Sequence, residues 1–299
     1  MSISLKERFA GCILGGAIGD AWGSMYENQQ QRKPVFSYWG EKPSLQNNWR
    51  ITDDTQLTLA TCEALAAHNP LPPEQLAGHL VQYYHRGKIT GMGAGTLKAI
   101  KDLAAGIHWQ QAGRSGEYAA GNGAAMRIAP LAFRPSVTRA HIEQFSKITH
   151  NNDEAYTGAL AVFLAIRAVL NNDWHGDNDL ISLLIPQLPD TNVRDRLIAL
   201  RQMNTIAEAA ALGTSGYVVD SVPLAVFAAA QVQKTGFQNM IQELVNAGGD
   251  TDTNASIAGQ IAGTLIGATA LPEALTHKLK LLSDYSWMKN IIDRTFPAL

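Results

Sequence analysis

The sequence predicts an all-α protein, a single compact domain of many helices. Alanine is abundant, 46% of the residues are hydrophobic and only 17% are charged, a composition that favours helices around a large interior. Successive helix-like stretches are separated by proline, glycine or asparagine. No internal repeat and no linker divides the 299 residues, so one domain is expected over residues 1–299.

The first predicted helix covers residues 5–22. It contains glycines at an interval of four: Gly11, Gly15 and Gly19. Each glycine inside a helix costs about 1 kcal/mol relative to alanine, and close approach of another backbone is the usual reason for it. The same interval returns near the C-terminus: Gly259, Gly263 and Gly267. Two interpretations stay open: the two glycine rows pack against each other, or each row packs against a bulky side chain elsewhere in the fold.

The remaining predicted helices are bounded by turn-forming residues. Asn69-Pro70-Leu71-Pro72-Pro73 ends one helix, and a polar segment at 171–179 and the break Leu188-Pro189-Asp190 separate later ones. The helices cover residues 55–67, 74–86, 140–149, 154–170, 191–212 and 218–233, with a helical tail over residues 272–299. Residues 23–50 have no clear period and lead into an aspartate motif, so we expect them to form a flap over a substrate.

The charge and cysteine content exclude several classes of protein. The formal net charge is −2 and no basic run is present, so neither nucleic acid nor a membrane surface is an expected partner. Cys12 and Cys62 lie in apolar stretches and are predicted to be reduced core residues. The N-terminus lacks the arrangement of a signal peptide, and no apolar run approaches about 18 residues, so a cytoplasmic protein is expected.

Two short motifs combine aspartates and threonines at predicted helix starts. The first is Ile51-Thr52-Asp53-Asp54-Thr55, and the second is Gly248-Gly249-Asp250-Thr251-Asp252-Thr253. Threonine and aspartate cap helices, and acids in a first turn complement the helix dipole, so capping explains either motif when it is taken alone. The presence of two such motifs in one chain favours a second interpretation, which is a metal site.

The metal interpretation requires the two motifs to meet in the fold. Four carboxylates would then share one pocket, where two unit charges ~4 Å apart repel by roughly 4 kcal/mol at an effective dielectric of about 20. Such a cluster must take up protons, spread apart or hold cations. Two divalent cations balance four carboxylates, and the hard oxygens of Asp and Thr suit Mg²⁺, Mn²⁺ or Ca²⁺ better than Zn²⁺.

Four further blocks accompany the two aspartate motifs: Gly15–Asp20 with Glu27, Gly91–Thr96, Gly121–Arg127 and Thr149-His150. With these blocks in this order, the chain resembles the ADP-ribosylglycohydrolase family, which includes the dinitrogenase-reductase-activating glycohydrolases and the ADP-ribosyl-acceptor hydrolases. The similarity extends over about residues 8–270. It implies the helical fold of that family and a dinuclear metal site.

The resemblance implies a role for each block. Two divalent cations, Mg²⁺ or Mn²⁺, would be held by Thr52, Asp53, Asp54, Asp250, Asp252 and Thr253. ADP-ribose would contact the glycine-rich loops and nearby residues, namely Gly91, Gly93, Gly95, Gly121, Asn122, Gly123, His150 and Tyr217. The implied catalytic carboxylates are Glu27, Asp53 and Asp252. A dinucleotide fingerprint at Gly91 is excluded, because a helical rather than a strand pattern precedes it.

The implied reaction is hydrolysis of the bond between ribose C1″ and an acceptor, carried by an ADP-ribosylated protein or a small ADP-ribosyl conjugate. Its oxocarbenium-like state gains from nearby negative charge and an activated water, and either Glu27 or a metal-binding aspartate would be the acid or base. Two other functions stay open, an ADP-ribose-binding module without turnover and a metal-dependent hydrolase of a free nucleotide or ADP-ribose derivative. Arginine-directed bacterial members tend to carry an aspartate where this chain has Tyr118-Ala119-Ala120, so the acceptor also stays open.

Overall fold

The computed structural model of the protein describes residues 3–27, 49–176 and 179–299. These residues form fifteen α-helices: α1 (Leu5–Gly23), α2 (Asp53–Ala67), α3 (Pro73–His85), α4 (Ala94–Ala104), α5 (Arg139–Lys147), α6 (Asp153–Leu170), α7 (Leu180–Leu184), α8 (Asn192–Leu200), α9 (Ile206–Ala210), α10 (Val218–Ala230), α11 (Val232–Thr235), α12 (Phe237–Ala247), α13 (Thr251–Ile266), α14 (Glu273–Lys280) and α15 (Tyr285–Thr295). Short 3₁₀ turns lie between several of them, including Asn122–Arg127. Of the predicted flap, residues 28–48 lie outside the described residues.

The fold is mostly helical, as predicted, with one pair of strands in the described residues that an all-α fold does not include. β1 (Arg114–Ser115) and β2 (His150–Asn151) run parallel, and Arg114 pairs with His150. Two residues per strand carry too little pattern to be recognised in a sequence, where strands are identified over about 4–8 residues. The pair matters because it holds Arg114 and His150 side by side.

Helices α1 and α13 pack closely in antiparallel orientation along their glycine rows. A Cβ on Gly15 would overlap the carbonyl oxygen of Gly259, and a Cβ on Gly23 would overlap that of Thr251. Of the two interpretations of the glycine rows, direct contact between the two backbones is therefore correct. The C-terminal end of α1 consequently meets the N-terminal end of α13, where the second aspartate motif begins.

One predicted helix is divided in the structure. The single helix predicted over residues 191–212 is wrong, because α8 and α9 form there with a break between them. The Thr205 hydroxyl accepts a hydrogen bond from the N–H of Glu208, whose carboxylate accepts from the N–H of Asn204. This arrangement starts a new helix in the manner of a capping box, inside a stretch that otherwise has amphipathic character. Residues 218–233, also predicted as one helix, form α10 and the beginning of the short α11.

The apolar faces of the helices fill one interior. Helices α6 and α10 are buried over most of their length, and α13 is buried from Thr251 to Leu265. Cys12 and Cys62 are both buried free thiols, as predicted. Among the described residues, no helix has the length and apolar character needed to cross a membrane.

Candidate active site

The first aspartate motif begins α2, and a side chain from α1 caps it. Thr52 lies directly before α2 without capping it through its own side chain, and its hydroxyl instead donates to Asp20 at 2.7 Å. The backbone N–H groups of Thr52 and Thr55 also donate to the Asp20 carboxylate, at 2.9 and 3.1 Å. Asp20 therefore provides the acceptor that a local capping residue normally provides. Asp53 and Asp54, in the first turn, are not needed as caps.

The second aspartate motif begins α13 and is held by other parts of the chain. The Thr251 hydroxyl donates to the carbonyl oxygen of Gly23, at the end of α1, at 2.8 Å. Asp250 precedes the helix without a side-chain capping bond and accepts from the side-chain amide of Asn122 at 2.7 Å. Helix capping therefore does not account for Asp250.

The two motifs meet, as the metal interpretation requires. Two overlapping groups each bring three carboxylates within 4.8 Å of one another: Asp20 with Asp54 and Asp252, and Glu27 with Asp250 and Asp252. The Thr253 hydroxyl donates to Oδ2 of Asp54 at 3.2 Å, but Oδ1 of Asp54 is buried with no hydrogen-bond partner in the described part of the chain. A buried, unpartnered carboxylate oxygen among other hard oxygens fits a divalent cation of the Mg²⁺ or Mn²⁺ type.

Burial and mutual repulsion raise the pKa values in this cluster. Burial raises the pKa of Asp20 to about 6, although hydrogen bonds from two threonines lower it. Burial, followed by the charge of Asp20, raises the pKa of Asp53 to about 7. Burial and neighbouring acids also raise the pKa of Asp252 to about 10 and that of Asp54 well above its usual range. Without cations the cluster therefore retains protons at neutral pH, and bound cations would displace them.

The acid cluster consists of Asp20, Glu27, Asp53, Asp54, Asp250 and Asp252. All of these except Asp20 line a cavity of about 540 Å³, together with most of the predicted binding residues. The predicted residues that line it are Glu27, Asp53, Asp54, Gly91, Gly93, Gly95, Gly121, Asn122, Gly123, His150, Asp250, Asp252 and Thr253. Thr52 and Tyr217 are not among the lining residues. The side chain of Tyr217 is 43% exposed and its backbone pairs with Gly121, while Ser215 and Gly216 line the cavity beside it.

The glycine-rich loops leave His150 accessible from the cavity. A Cβ on Gly121 would lie 3.1 Å from Nε2 of His150, and one on Gly95 would lie 3.2 Å from the same atom. A Cβ on Gly123 would lie 2.8 Å from Cε1 of the ring. Side chains at these positions would cover the imidazole. Helix α4 begins at Ala94 in the same wall, and a helix N-terminus presents N–H groups that suit an anionic phosphate.

Comparison with known proteins identifies the family. The family model described as ADP-ribosylglycohydrolase matches residues 1–299. The chain belongs to the ADP-ribosylglycohydrolase family. It is therefore a hydrolase of that class, as the resemblance of its motifs implied.

Individual members of the ADP-ribosylglycohydrolase family are similar along most of the chain. ADP-ribosylarginine hydrolase Tri1 of Pseudomonas putida is 29% identical over 285 residues, which cover 91% of this chain and 74% of that protein. ADP-ribosylhydrolase ARH3 of Mus musculus is 24% identical over 342 residues, which cover 97% of this chain and 92% of that protein. A solved ADP-ribosylglycohydrolase-related protein complex has a TM-score of 0.68 at 22% identity and covers 98% of each chain. At that identity the structural similarity establishes the fold alone.

Several residues of this ADP-ribosylglycohydrolase site were not assigned a site role from the sequence, and three of them have side chains that bear on its chemistry: Asp20, Arg114 and Tyr118. Asp20 is the single charged residue between Phe9 and Trp22, which was a usable signal in an apolar helix. Arg114 lines the cavity because β1 pairs with β2, and no local pattern indicates that position. Tyr118 is 85% exposed and also lines the cavity, although the sequence singled it out only as a departure from the arginine-directed pattern.

Proposed function

We propose that the protein removes ADP-ribose from a modified acceptor by hydrolysing the bond at ribose C1″, with two divalent cations, Mg²⁺ or Mn²⁺, in the acid cluster. The main support is the buried Oδ1 of Asp54, which has no partner among the described residues and lies among carboxylates contributed by α1, α2 and α13. Buried polar atoms in proteins nearly always have a partner, and a hard cation would be the partner of this oxygen. The family gives the hydrolytic class, and the substrate and the metal are our proposal.

The proposed cation ligands are Thr52, Asp53, Asp54, Asp250, Asp252 and Thr253. When bound, the cations would attract the ribose hydroxyls and lower the pKa of a water molecule. The protein orients the ligands through fixed hydrogen bonds: the Thr253 hydroxyl holds Asp54, and the Asn122 amide holds Asp250. Asp20 holds Thr52 in the same way from α1.

Glu27 is the proposed proton donor to the departing acceptor group. Its carboxylate lies within 4.8 Å of those of Asp250 and Asp252. Burial, the larger cause, and the charge of Asp250 in the metal-free site raise the pKa of Glu27. The contribution of burial persists when Asp250 binds a cation, and it favours the protonated form that a general acid requires. Asp53 and Asp252 are the other proposed catalytic carboxylates, and in their ionised, cation-bound form they would add negative charge beside the oxocarbenium-like state at C1″.

The rest of the cavity suits the ADP portion of the substrate. The whole cavity, including the part beside the acid cluster, has a volume of about 540 Å³, which falls within the range of small-ligand sites. The N–H groups at the start of α4 and the guanidinium of Arg114 supply positive potential for a diphosphate. The exposed ring of Tyr118 offers an aromatic face at the same cavity, on which a base can stack.

The test is release of free ADP-ribose by the purified protein from three substrates: an ADP-ribosyl-arginine peptide, an ADP-ribosyl-serine peptide and a free ADP-ribosyl conjugate. Arginine is the first acceptor to examine, since the Pseudomonas relative is named for it. We expect release with Mg²⁺ or Mn²⁺ and none after EDTA. Release that persists in metal-free buffer contradicts the proposal. Calorimetric binding of ADP-ribose without release from any substrate would instead support a binding module.

A further inference from the structure

A charged side chain lies fully buried behind the glycine-rich loop of the cavity. Arg127 ends the 3₁₀ turn Asn122–Arg127, has no exposed surface and forms no salt bridge with described residues. Its Nη2 donates to the carbonyl oxygen of Phe145 at 3.0 Å and to Oγ1 of Thr149 at 2.9 Å, while Nε and Nη1 have no partner there. A buried guanidinium with so few acceptors is costly to the fold. Its two hydrogen bonds therefore indicate a role for Arg127 other than stabilising the fold.

Arg127 fixes the direction of the Thr149 hydroxyl. Guanidinium N–H groups only donate, so Oγ1 of Thr149 is the acceptor in this bond. Thr149 is fully buried, and its hydroxyl hydrogen needs an acceptor of its own. Within the described chain, Nδ1 of His150 meets that need at 2.9 Å. Thr149 therefore donates to Nδ1, and Nδ1 carries a lone pair rather than a proton.

The remaining proton of the ring is then on Nε2. Burial lowers the pKa of His150 to about 3, with a further contribution from the positive charges of Arg127 and Arg114, so the imidazole is neutral. A neutral imidazole whose Nδ1 accepts a hydrogen bond carries its proton on Nε2. Nε2 is the ring atom nearest to the Cβ positions of Gly95 and Gly121 in the cavity wall. The ring therefore presents an N–H donor on that side.

We propose that Arg127 and Thr149 are positioning residues that lock His150 in the tautomer donating from Nε2 to an oxygen of the substrate diphosphate. The identity of this ligand rests on the proposed function. An accepting Nε2 would place a lone pair against an anionic oxygen, whereas a fixed N–H gives a charge-assisted hydrogen bond. The donor requires no protonation of the ring, so it is available at neutral pH although His150 is not charged.

The tautomer can be measured in the ligand-free protein by ¹⁵N NMR of labelled histidines at neutral pH, with the His150 signals identified by their loss in His150→Asn. Wild type and Thr149→Ser should carry the proton on Nε2, because both retain the hydroxyl. Thr149→Val has the same shape without the hydroxyl and should lose the single tautomer. A wild-type ring protonated on Nδ1, or an unchanged tautomer in Thr149→Val, overturns the proposal. If Thr149→Val does not fold, Thr149→Ala removes the hydroxyl without adding bulk.

The effect on the ligand is measured by calorimetry with ADP-ribose and Mg²⁺. Thr149→Val should weaken binding by about 10- to 100-fold, the range expected for one hydrogen bond to a charged group, and Thr149→Ser by much less. In turnover, Thr149→Val should raise KM more than it lowers kcat, because His150 would bind the diphosphate rather than the reacting carbon. Equal affinities of Thr149→Val and Thr149→Ser for ADP-ribose would contradict the role of Arg127 and Thr149 as positioning residues. If wild type binds no ADP-ribose, the proposed function and the ligand assigned to His150 both fail, while NMR still decides the tautomer.

Discussion

At the scale of single residues, the carboxylates of Asp20 and Asp54 differ in the hydrogen bonds that they accept. Asp20 accepts hydrogen bonds from the backbone N–H and the hydroxyl of both Thr52 and Thr55. Asp54 leaves Oδ1 without a partner in the described chain, although the side chain is buried. Asp20 therefore stabilises the start of α2, whereas an ionised Asp54 weakens the metal-free fold and contributes its oxygen only when a cation is present.

The first prediction concerns Asp54 and Asp252, two carboxylates of the proposed cation site. Asp54→Asn and Asp252→Asn should each reduce turnover by orders of magnitude, because each removes an anionic oxygen from the proposed cation site. The metal-free variants should melt no lower than wild type, because an amide is neutral without the proton that the buried carboxyl must retain in the folded state. Activity is measured as ADP-ribose release, and stability by thermal unfolding in EDTA. Near-normal activity in both variants would refute the site.

A third substitution serves as the control for stability. Asp20→Ala removes the acceptor for the N–H groups of Thr52 and Thr55, which are buried at the start of α2. Unsatisfied buried donors cost about 1–3 kcal/mol each, so the metal-free Asp20→Ala protein should unfold several degrees below wild type. Replacement of Asp20 would then lower the stability of the metal-free protein, whereas replacement of Asp54 or Asp252 would not.

At the scale of elements, the antiparallel contact between α1 and α13 builds the acid cluster. It brings Gly23 against Thr251 and so places the end of α1 beside the second aspartate motif. Helices α2 and α13 both begin at this cluster, where the positive ends of their dipoles stabilise nearby ionised carboxylates. The packing depends on the absence of side chains at Gly15 and Gly259, since the backbones themselves are in contact.

Gly15→Ala tests this contact, with Gly78→Ala in α3 as the matched control. The new Cβ on residue 15 would overlap backbone atoms of α13, whereas a Cβ on residue 78 would meet no atom within 4 Å. We expect Gly15→Ala to lower the free energy of unfolding by about 1–3 kcal/mol or more. Gly78→Ala should raise it by up to about 1 kcal/mol, because alanine favours the helix. Chemical denaturation measures both, and equal effects would contradict the close packing of α1 and α13.

At the scale of the whole molecule, the candidate site depends on segments from both ends of the chain. Its lining residues extend from Glu27 to Thr253. Arg134 donates to the carbonyl oxygens of Leu65 and His68 at the end of α2 and to that of Ala298, which ties α2 to the C-terminus. Because the cluster joins so many elements, its protonation state and its cations should affect the stability of the entire fold.

The metal-free protein should lose stability between about pH 7 and about pH 10. Burial beside other acids raises the pKa of Asp252 to about 10 and that of Asp54 well above the value of 3.8 that applies when the group is exposed. A raised folded-state pKa gives stability that is lost as pH rises, because unfolding then releases a proton. Each of these carboxyls contributes up to about 1.4 kcal/mol per pH unit. Below about pH 6.5 the depressed pKa of His150 adds one contribution of opposite sign, so the loss from the acids is measured most cleanly above neutrality.

Thermal unfolding in EDTA across this pH range checks the prediction. With saturating Mg²⁺ this slope should nearly vanish, because bound cations keep the carboxyls deprotonated in the folded state, as they already are in the unfolded state, so unfolding no longer releases these protons. Asp54→Asn should give a shallower slope than wild type in EDTA. Stability that rises with pH in the metal-free wild-type protein would show that the acid cluster does not retain its protons.

The sequence by itself determined the helical class, the ends of five helices (α1, α2, α3, α5 and α6) to within about two residues, and the two aspartate motifs that meet in the fold. Helix formation follows from local spacing and from breaks such as Asn69–Pro73, which a sequence displays directly. The two aspartate motifs are compact, and the electrostatics of four carboxylates predicted their need for cations before their proximity was known.

Only the tertiary structure decided which distant residues act on these motifs. The bond from Thr52 to Asp20 joins positions 32 residues apart, and the link from Arg127 to Thr149 joins positions 22 apart. The same applies to Tyr217, whose backbone meets Gly121 while its side chain is absent from the cavity lining. Such contacts leave no periodic pattern in the chain, because they arise from the packing of whole helices rather than from the preferences of neighbouring residues.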